Sequence, residues 1–313
     1  MSLIRKPSAL NVKQTLTALV YGQPGCGKST LALSAPNAIL FDFDGGVNRI
    51  NGAHQVDTVQ VTSWEEAQDA LFEVKALPDY DTIVVDTVGK MLGYMDEYIK
   101  RTNPKMTNRD GTLALKGYGL RKQMFLSFMR ELAVMGKNII FVAHEIEQKR
   151  GDDTIIRPEV GGSSSNDLIK EMDLVGYMEV FNNKRTIIFD PADKCYTKNT
   201  CNMHGIIEIP VVVDEHGVAV GQNNFFGRII DAYRNRQLNN LKQTQAFEDL
   251  MELISENIEG IEDAEQANTV LGWILGLDHI YNSKVKASKL LADKTKSLGL
   301  TFNKMSNKYE QAG

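Results

Sequence analysis

Residues 22–29, Gly-Gln-Pro-Gly-Cys-Gly-Lys-Ser, place a glycine-rich turn directly before a lysine and a hydroxyl. Glycines let backbone N–H groups surround a polyphosphate, and a helix that begins at the turn adds the positive end of its dipole. In such a loop the lysine reaches the β- and γ-phosphates and the hydroxyl is a ligand for Mg²⁺. The pattern therefore predicts that this segment binds a nucleoside triphosphate. The predicted contacts are Gly22, Gly25, Cys26, Gly27, Lys28, Ser29 and Thr30.

Asp86 is predicted to complete the metal site with Ser29. It ends the apolar run 82–85, which has the composition of a buried strand. A carboxylate at the end of such a strand, beside a bound triphosphate, holds Mg²⁺ through its water shell. An acid that ends a strand by chance is common, so the prediction rests on its combination with the preceding phosphate loop.

Hydrolysis of the triphosphate also needs a group that orients and deprotonates water, and Asp44 is our first candidate. It ends the strand-like run 38–44 and precedes a double glycine. Asp42 lies two residues earlier and therefore points to the same face of the strand. The alternative is that these acids only cap the end of the strand.

His144 ends another apolar run, 138–143, and is a candidate sensor of the γ-phosphate. A hydrogen-bonded structural histidine is the alternative interpretation.

Up to about residue 235, β-rich runs alternate with helical stretches, which predicts an α/β domain with a parallel sheet covered by helices. We expect polar loops at 102–119 and 146–166, and a hairpin of strands 173–181 and 184–189 that turns at Asn182-Asn183. The predicted domains are therefore 1–235, an ATPase core, and 236–313, a C-terminal helical extension.

The extension is acidic in its first part and basic in its last, where lysines recur from Lys284 to Lys308. Opposed charge blocks are most often solvated helix faces. A basic tail that contacts nucleic acid, or the acidic stretch of a neighbouring subunit, is the alternative.

The composition excludes several classes of protein. The 313-residue chain has a net charge of −5, so any contact with nucleic acid must come from local patches. Three cysteines do not form a disulfide framework, and a reducing compartment is expected. Cys195, Cys201 and His204 match no common zinc spacing. The first residues have no apolar signal core and no run is long enough to span a membrane, so we expect a cytoplasmic protein without a membrane partner.

In its order of motifs, the chain resembles the RecA-like recombinase core over roughly residues 15–205. Within that group it is most similar to the compact ATPases of phage recombination cassettes, which are regarded as single-strand annealing proteins or minimal recombinases. The resemblance is carried by residues 42–46 (Asp-Phe-Asp-Gly-Gly), 117–119 (Gly-Tyr-Gly), 142–144 (Val-Ala-His) and 160–162 (Val-Gly-Gly), together with the phosphate loop and Asp86.

The resemblance implies a RecA-like P-loop fold, ATP with Mg²⁺ as cofactors, and two loops that contact single-stranded DNA. The corresponding side chains are Lys105, Arg109, Lys116 and Tyr118 in the first loop and Lys149, Arg150 and Arg157 in the second. Basic side chains would contact phosphates, and Tyr118 would stack on a base.

The resemblance also implies head-to-tail homo-oligomers, rings or filaments, with ATP between subunits. A lysine of the adjacent subunit would reach the γ-phosphate, and Lys198, with Lys194 as a second candidate, occupies the matching stretch. A single-strand binding protein is a further candidate partner, and the compartment would be the cytoplasm of a bacterial host.

The chain also departs from the family pattern. Asp44 stands where RecA-like enzymes usually carry glutamate, which predicts slow hydrolysis, and His144-Glu145 replaces an amide-bearing sensor. Two other functions therefore stay open: a hexameric helicase or packaging-type motor, and a protein without DNA binding, such as a nucleotide-switched scaffold or a small-molecule kinase.

Overall fold

Strands rich in branched apolar residues alternate with helices along the first two thirds of the chain. The computed structural model describes residues 3–151, 153–161 and 164–311. In the first part of the chain the elements are β1 Thr17–Gly22, α1 Lys28–Ala32, β2 Ala38–Asp42, β3 Thr58–Gln60, α2 Trp64–Ala76, β4 Thr82–Asp86, α3 Val88–Thr102, α4 Leu115–Val134, β5 Asn138–Arg150 and β6 Asp153–Pro158. They continue as α5 Ser164–Glu171, β7 Leu174–Phe181, β8 Lys184–Ile188, β9 Lys198–Asn199, β10 Ile206–Glu208, α6 Phe225–Glu259, α7 Ala264–Leu275, α8 Ser283–Ser297, β11 Leu300–Asn303 and β12 Lys308–Gln311.

The central sheet has the strand order β10-β8-β7-β1-β5-β4-β2-β3, with β6 paired to β5 and β9 paired to β7. Strands β7, β1, β5, β4, β2 and β3 are parallel to their neighbours, whereas β8, β10, β6 and β9 add antiparallel pairs. The fold is an α/β fold, a mostly parallel sheet flanked by helices, with further helices at the C-terminal end, as predicted from the sequence.

The register of the parallel strands brings the predicted site residues to one edge of the sheet. Gly22 at the end of β1 is opposite His144 of β5, and Asp42 at the end of β2 is opposite Asp86 at the end of β4. The carboxyl ends of parallel strands form the ligand-binding edge in open α/β folds.

Apolar side chains cover both faces of this sheet, because successive residues of a buried strand point to opposite sides. In β4, Ile83 and Val85 pack on the side of α2, α3 and α4, whereas Val84 packs on the side of α1 and the beginning of α6. Phe226, which is fully buried, belongs to the second cluster.

Two predicted loops were wrong. Helix α4 begins at Leu115, so Lys116 and Tyr118 lie on its first turns and the connection after α3 is 103–114. Gly117 is buried, and a Cβ there would lie 2.8 Å from the Met106 carbonyl oxygen, so this glycine permits close packing within a helix. The second predicted loop is largely a hairpin, because β5 continues to Arg150 and β6 returns along it.

The hairpin predicted after the second loop is confirmed. Strands β7 and β8 pair antiparallel, and Asn182 and Asn183 occupy the turn with φ of 48° and 61°. Positive φ at both central positions matches a two-residue turn of type I′. Gly162 of the resembling Val-Gly-Gly segment lies outside the described residues.

The chain divides into two compact units, Thr15–Arg234 and a unit formed by Met1–Gln14 with Asn235–Gly313. The second unit has its own apolar core, which includes Ile254, Ala267 and Leu291. Near the beginning of the chain, the Ser8 hydroxyl donates to the Glu248 carboxylate within this unit. The helices of the extension were predicted, whereas the β11–β12 hairpin was not.

In the part of the chain that the structure describes, no helix is both long and apolar enough to cross a membrane.

Candidate nucleotide site

The phosphate loop joins β1 to α1, and its glycines stand where a side chain has no room. A Cβ on Gly22 would lie 2.1 Å from the Met178 carbonyl oxygen of the neighbouring strand β7. Gly27 precedes the first residue of α1 with φ of 97°, in the left-handed region that favours glycine. The loop geometry therefore requires glycine at both positions.

Lys28 is almost fully buried, with 5% of its surface exposed. Its Nζ donates to the carbonyl oxygens of Gly22 (2.9 Å) and Gln23 (2.7 Å), and the Cys26 Sγ lies 3.9 Å away. Burial raises the pKa of the Cys26 thiol. The ammonium is thus held inside the loop, at the place where phosphate oxygens are bound in this motif.

Ser29 and Asp86 form the predicted metal pair. Asp86 is buried at the end of β4, and the Ser29 side chain lies close enough to affect the pKa of its carboxyl. Burial raises the pKa of Asp86, the Ser29 side chain lowers it, the charges of Asp42 and Asp44 raise it, and the charge of Lys28 lowers it. The peptide bond between Asp86 and Thr87 is cis.

The residues at this point suit Mg²⁺. A hydroxyl and a carboxylate lie side by side, and oxygen atoms are the ligands that Mg²⁺ prefers. The Thr87 Oγ1 is buried beside them and has no hydrogen-bond partner among the described residues. A dication here would offset the repulsion between Asp86 and its two acidic neighbours.

The Asp42 carboxylate has a structural role in the turn after β2. It accepts the backbone N–H groups of Asp44 (3.2 Å), Gly46 (2.9 Å) and Val47 (2.9 Å), and only 3% of the residue is exposed. It therefore fixes the turn that follows β2, which is the capping role considered as the alternative for the acids of this strand.

Asp44 points into the cavity beside the phosphate loop and is held by two cations. Its carboxylate accepts from the Arg49 guanidinium at 2.7 Å, and the Lys90 Nζ lies at 4.0 Å. Arg49 lines the same cavity and was not predicted from the sequence. The one feature of the sequence that could have indicated Arg49 is its place shortly after the acids that end a strand.

One cavity of about 320 Å³ brings the predicted groups together. Its lining includes Lys28, Ser29, Asp44, Arg49, Asp86, Thr87 and His144. The His144 Nδ1 is buried and, among the described residues, has no hydrogen-bond partner. A polar atom in that state at a phosphate site is suited to a ligand oxygen or an ordered water.

A second cavity, of about 90 Å³, is also lined by Gly27 of the phosphate loop. Its lining is mainly apolar and includes Thr30, Leu31, Met178, Arg185, Val212, Asn223 and Phe225. The Nε of Arg185 lies 3.4 Å from the point where a Cβ on Gly27 would lie. Arg185 is the second cation beside the loop that the sequence did not single out.

Lys198 lies away from the cavity of its own chain. Its Nζ donates to the carbonyl oxygens of Ile169 (3.4 Å) and Lys170 (2.9 Å), at the C-terminal end of α5. A cation is favourable there because it meets the negative end of the helix dipole. Lys194 is exposed, and the structure gives its ammonium no ion pair among the described residues.

The predicted DNA-contacting residues fall into two groups. Lys105, Arg109, Lys116 and Lys149 are exposed and form no ion pair in the described part of the chain. Arg157 instead donates to Gln148 (2.6 Å) and Asn166 (2.7 Å), and its guanidinium lies over the Tyr196 ring at 5.2 Å. For Arg150 the structure describes only the backbone, at the end of β5.

Arg121, which was not predicted, connects the two predicted DNA-contacting regions. It is buried in α4, forms an ion pair with Asp96 at 3.0 Å, and donates to the Gly161 carbonyl oxygen at 3.4 Å. Its guanidinium also lies over the ring of Tyr118 at 4.9 Å. A single buried side chain thus joins the first turns of α4 to the segment after β6.

Fold and site together define the chain as a nucleotide-binding P-loop ATPase, a class of protein that generally uses Mg²⁺. Residues 14–201 match the family model AAA_24, an AAA domain, and the chain belongs to this family. A comparison with curated proteins gave no match.

Among solved structures, a KaiC-like protein, PH0186, from the hyperthermophilic archaeon Pyrococcus horikoshii OT3 is similar, with a TM-score of 0.38 and 12% sequence identity. That similarity covers 62% of this chain and 89% of the archaeal chain.

Proposed function

We propose that this protein hydrolyses ATP with Mg²⁺, binds single-stranded DNA, and promotes annealing or strand pairing in recombination as a head-to-tail homo-oligomer. The observation that carries the DNA part is the course of β5. Up to His144 this strand runs parallel to β1 beside the phosphate loop, and beyond it the same strand becomes one arm of the β5–β6 hairpin.

The groups around the cavity have complementary roles in hydrolysis. Lys28 would hold the β- and γ-phosphates, Ser29 and Asp86 would hold Mg²⁺, and the Asp44 carboxylate would orient and deprotonate water. When bound, Mg²⁺ would neutralise the charge that develops on the phosphates. Arg49 is near enough to Asp44 to keep its carboxylate in one position.

The apolar cavity beside Thr30 suits the nucleobase. A base buries a flat, largely apolar surface, and a few polar groups such as Asn223 and Arg185 at the rim would orient it.

The hairpin couples nucleotide to DNA through a single strand. His144 has a buried, unpartnered ring nitrogen in the cavity, and five residues later Lys149 is exposed on the hairpin. A shift of His144 towards the γ-phosphate would move the base of the hairpin directly, because the two residues share one extended backbone.

For the subunit interface, Lys194 and Lys198 are the candidates for a cation supplied in trans. Lys194 is exposed, whereas Lys198 would first have to leave the carbonyl oxygens at the end of α5. Lys194 is therefore the candidate that needs less rearrangement.

The test is binding of a fluorescent single-stranded oligonucleotide over a salt series, with and without ATP and Mg²⁺. The wild type is compared with Lys28→Ala, with Arg109→Gln/Lys116→Gln, and with Lys75→Gln/Lys242→Gln, a control pair of exposed lysines that loses the same charge.

We expect the Arg109/Lys116 pair to reduce the slope of log affinity against log salt by about 1–1.5, since each lost contact with a single strand contributes ~0.7, and the control pair to leave it unchanged. We expect Lys28→Ala to abolish the effect of ATP. Equal binding by all variants would contradict the DNA assignment. Strand separation driven by ATP would favour the motor alternative.

A further inference from the structure

The last 29 described residues, 283–311, carry seven lysines and two acids, in a chain whose net charge is −5. The preceding part of the same unit is strongly acidic, with Glu248, Asp249, Glu252, Glu256, Glu259, Glu262, Asp263 and Glu265. The charge is thus separated within the unit, and its basic part consists of α8 and the β11–β12 hairpin.

Helix α8 buries one face and leaves the other free. Ser283, Ala287, Leu291 and Thr295, spaced by four residues, are buried. Lys284, Lys286, Lys289 and Lys296 are exposed, and Val285 between them is 71% exposed. Lys284, Lys289 and Lys296 form no ion pair with any described residue. This buried stripe therefore anchors the helix, and a basic face remains open.

The hairpin is fixed to the helices, so its lysines hold a constant position relative to α8. The Asn268 side chain of α7 accepts from the Tyr309 backbone N–H (2.7 Å) and donates to the Tyr309 carbonyl oxygen (3.0 Å). Leu300 and Tyr309 belong to the core that also holds Leu291. Lys304 and Lys308 are exposed at the turn and on β12.

We propose that α8 and the β11–β12 hairpin form a binding site for double-stranded DNA. The connection between α7 and α8, residues 276–282, is longer than the turn of a helix-turn-helix motif, and α8 by itself presents the exposed basic face of a helix that enters the major groove. The 15-residue α8 is ~22 Å long, and the ~12 Å width of the major groove admits a helix. Lys304 and Lys308 would then contact the adjacent phosphates.

The aromatic rings favour a duplex over a single strand. Recognition of a single strand uses exposed rings on which bases stack. Here Phe302 packs edge to face on Tyr309 with centroids 5.1 Å apart, and Phe247 packs on Tyr281 at 5.7 Å with the Lys286 Nζ over its ring. Phe302 and Tyr281 remain 43% and 61% exposed, but each packs on a second ring. The lysines Lys284, Lys289, Lys304 and Lys308 are exposed and form no ion pair among the described residues.

The test uses the full-length chain without nucleotide and a fluorescent blunt duplex over a salt series. Lys284→Gln/Lys289→Gln removes two cations from α8, and Lys304→Gln/Lys308→Gln removes two from the hairpin. Lys75→Gln/Lys242→Gln is the control of equal charge change. Thermal unfolding followed by circular dichroism checks that each variant is folded.

We expect each test pair to weaken duplex binding by at least tenfold at 0.1 M salt and to lower the salt slope by about 2, since each phosphate contact contributes ~0.9. Lys284→Arg/Lys289→Arg is expected to bind as the wild type. The control pair should also keep its duplex affinity and slope.

Two outcomes would overturn the proposal. One is unchanged duplex binding by both test pairs. The other is that the test pairs lose self-association in sedimentation velocity but keep the duplex affinity of the wild type. The basic face would then bind the acidic stretch of a second copy of the chain.

Discussion

Removal of the Asp42 carboxylate is expected to unfold the turn that carries Asp44. The carboxylate accepts three backbone N–H groups, from Asp44, Gly46 and Val47. The perturbations are Asp42→Ala, which removes both acceptor oxygens and so all three hydrogen bonds, and Asp42→Asn, which keeps one oxygen. Asp69→Asn on the exposed side of α2 is the matched control.

The magnitude follows from the burial of each bond. The hydrogen bond from the Val47 N–H is buried, so leaving this donor unsatisfied costs ~2 kcal/mol of stability. The N–H groups of Asp44 and Gly46 are only part-buried and can bind water, so the loss of each of their bonds costs ~1 kcal/mol. We therefore expect Asp42→Ala to lower the free energy of unfolding by about 4 kcal/mol.

Asp42→Asn is expected to cost about 2 kcal/mol, because its amide oxygen still serves two donors while its NH₂ group faces the N–H of Val47.

The assay combines urea unfolding with the kinetics of ATP hydrolysis. Because the turn also places Asp44 and Arg49 in the cavity, we expect kcat to fall at least tenfold in Asp42→Ala while nucleotide affinity, set by Lys28 and its loop, changes little. The control should stay within ~0.5 kcal/mol of the wild type. An Asp42→Ala protein within 1 kcal/mol of the wild type would refute this account of the turn.

Two further predictions concern buried charges. In the absence of Mg²⁺, the Asp86→Asn variant should be more stable than the wild type at pH 7. Burial raises the pKa of Asp86, so the free energy of unfolding of the wild type falls as the pH rises from near 4 through that raised pKa. The asparagine variant has no such group and keeps its stability over this range. Denaturant unfolding from pH 4 to 8 measures this, and a less stable variant at pH 7 would contradict it. Arg121→Met should cost about 3 kcal/mol because it leaves Asp96 half-buried without its cation, and Arg121→Met/Asp96→Leu should recover most of the loss. Thermal unfolding compares the two, and a double variant no more stable than the single one would argue against the buried pair.

The sequence predicted well those parts of the chain in which one pattern has one physical meaning. The phosphate loop needs glycine for steric reasons that the structure reproduces at Gly22, where a Cβ would meet the Met178 carbonyl oxygen. The turn at Asn182-Asn183 was predicted because few residues accept positive φ at two successive positions. The buried strands were visible as continuous apolar runs.

The errors arose where one residue type serves two purposes. Gly117 indicates a loop by composition, but it lies in α4 because the chain passes close to the Met106 carbonyl oxygen. The arms of the β5–β6 hairpin are largely exposed, so they lack the alternation of apolar and polar residues that marks a half-buried strand. Asp42 and Asp44 are equivalent in sequence, and only the hydrogen bonds show which of them holds the turn.

The hydrogen bonds of Lys28 affect how the loss of its side chain is measured. Its ammonium bridges the carbonyl oxygens of Gly22 and Gln23 and so acts as an internal brace of the loop. A substitution there removes a phosphate ligand and the brace together. The drop in affinity of Lys28→Ala therefore overstates the direct contact, and the flexibility of residues 22–27 in that variant, followed by hydrogen exchange, separates the two contributions.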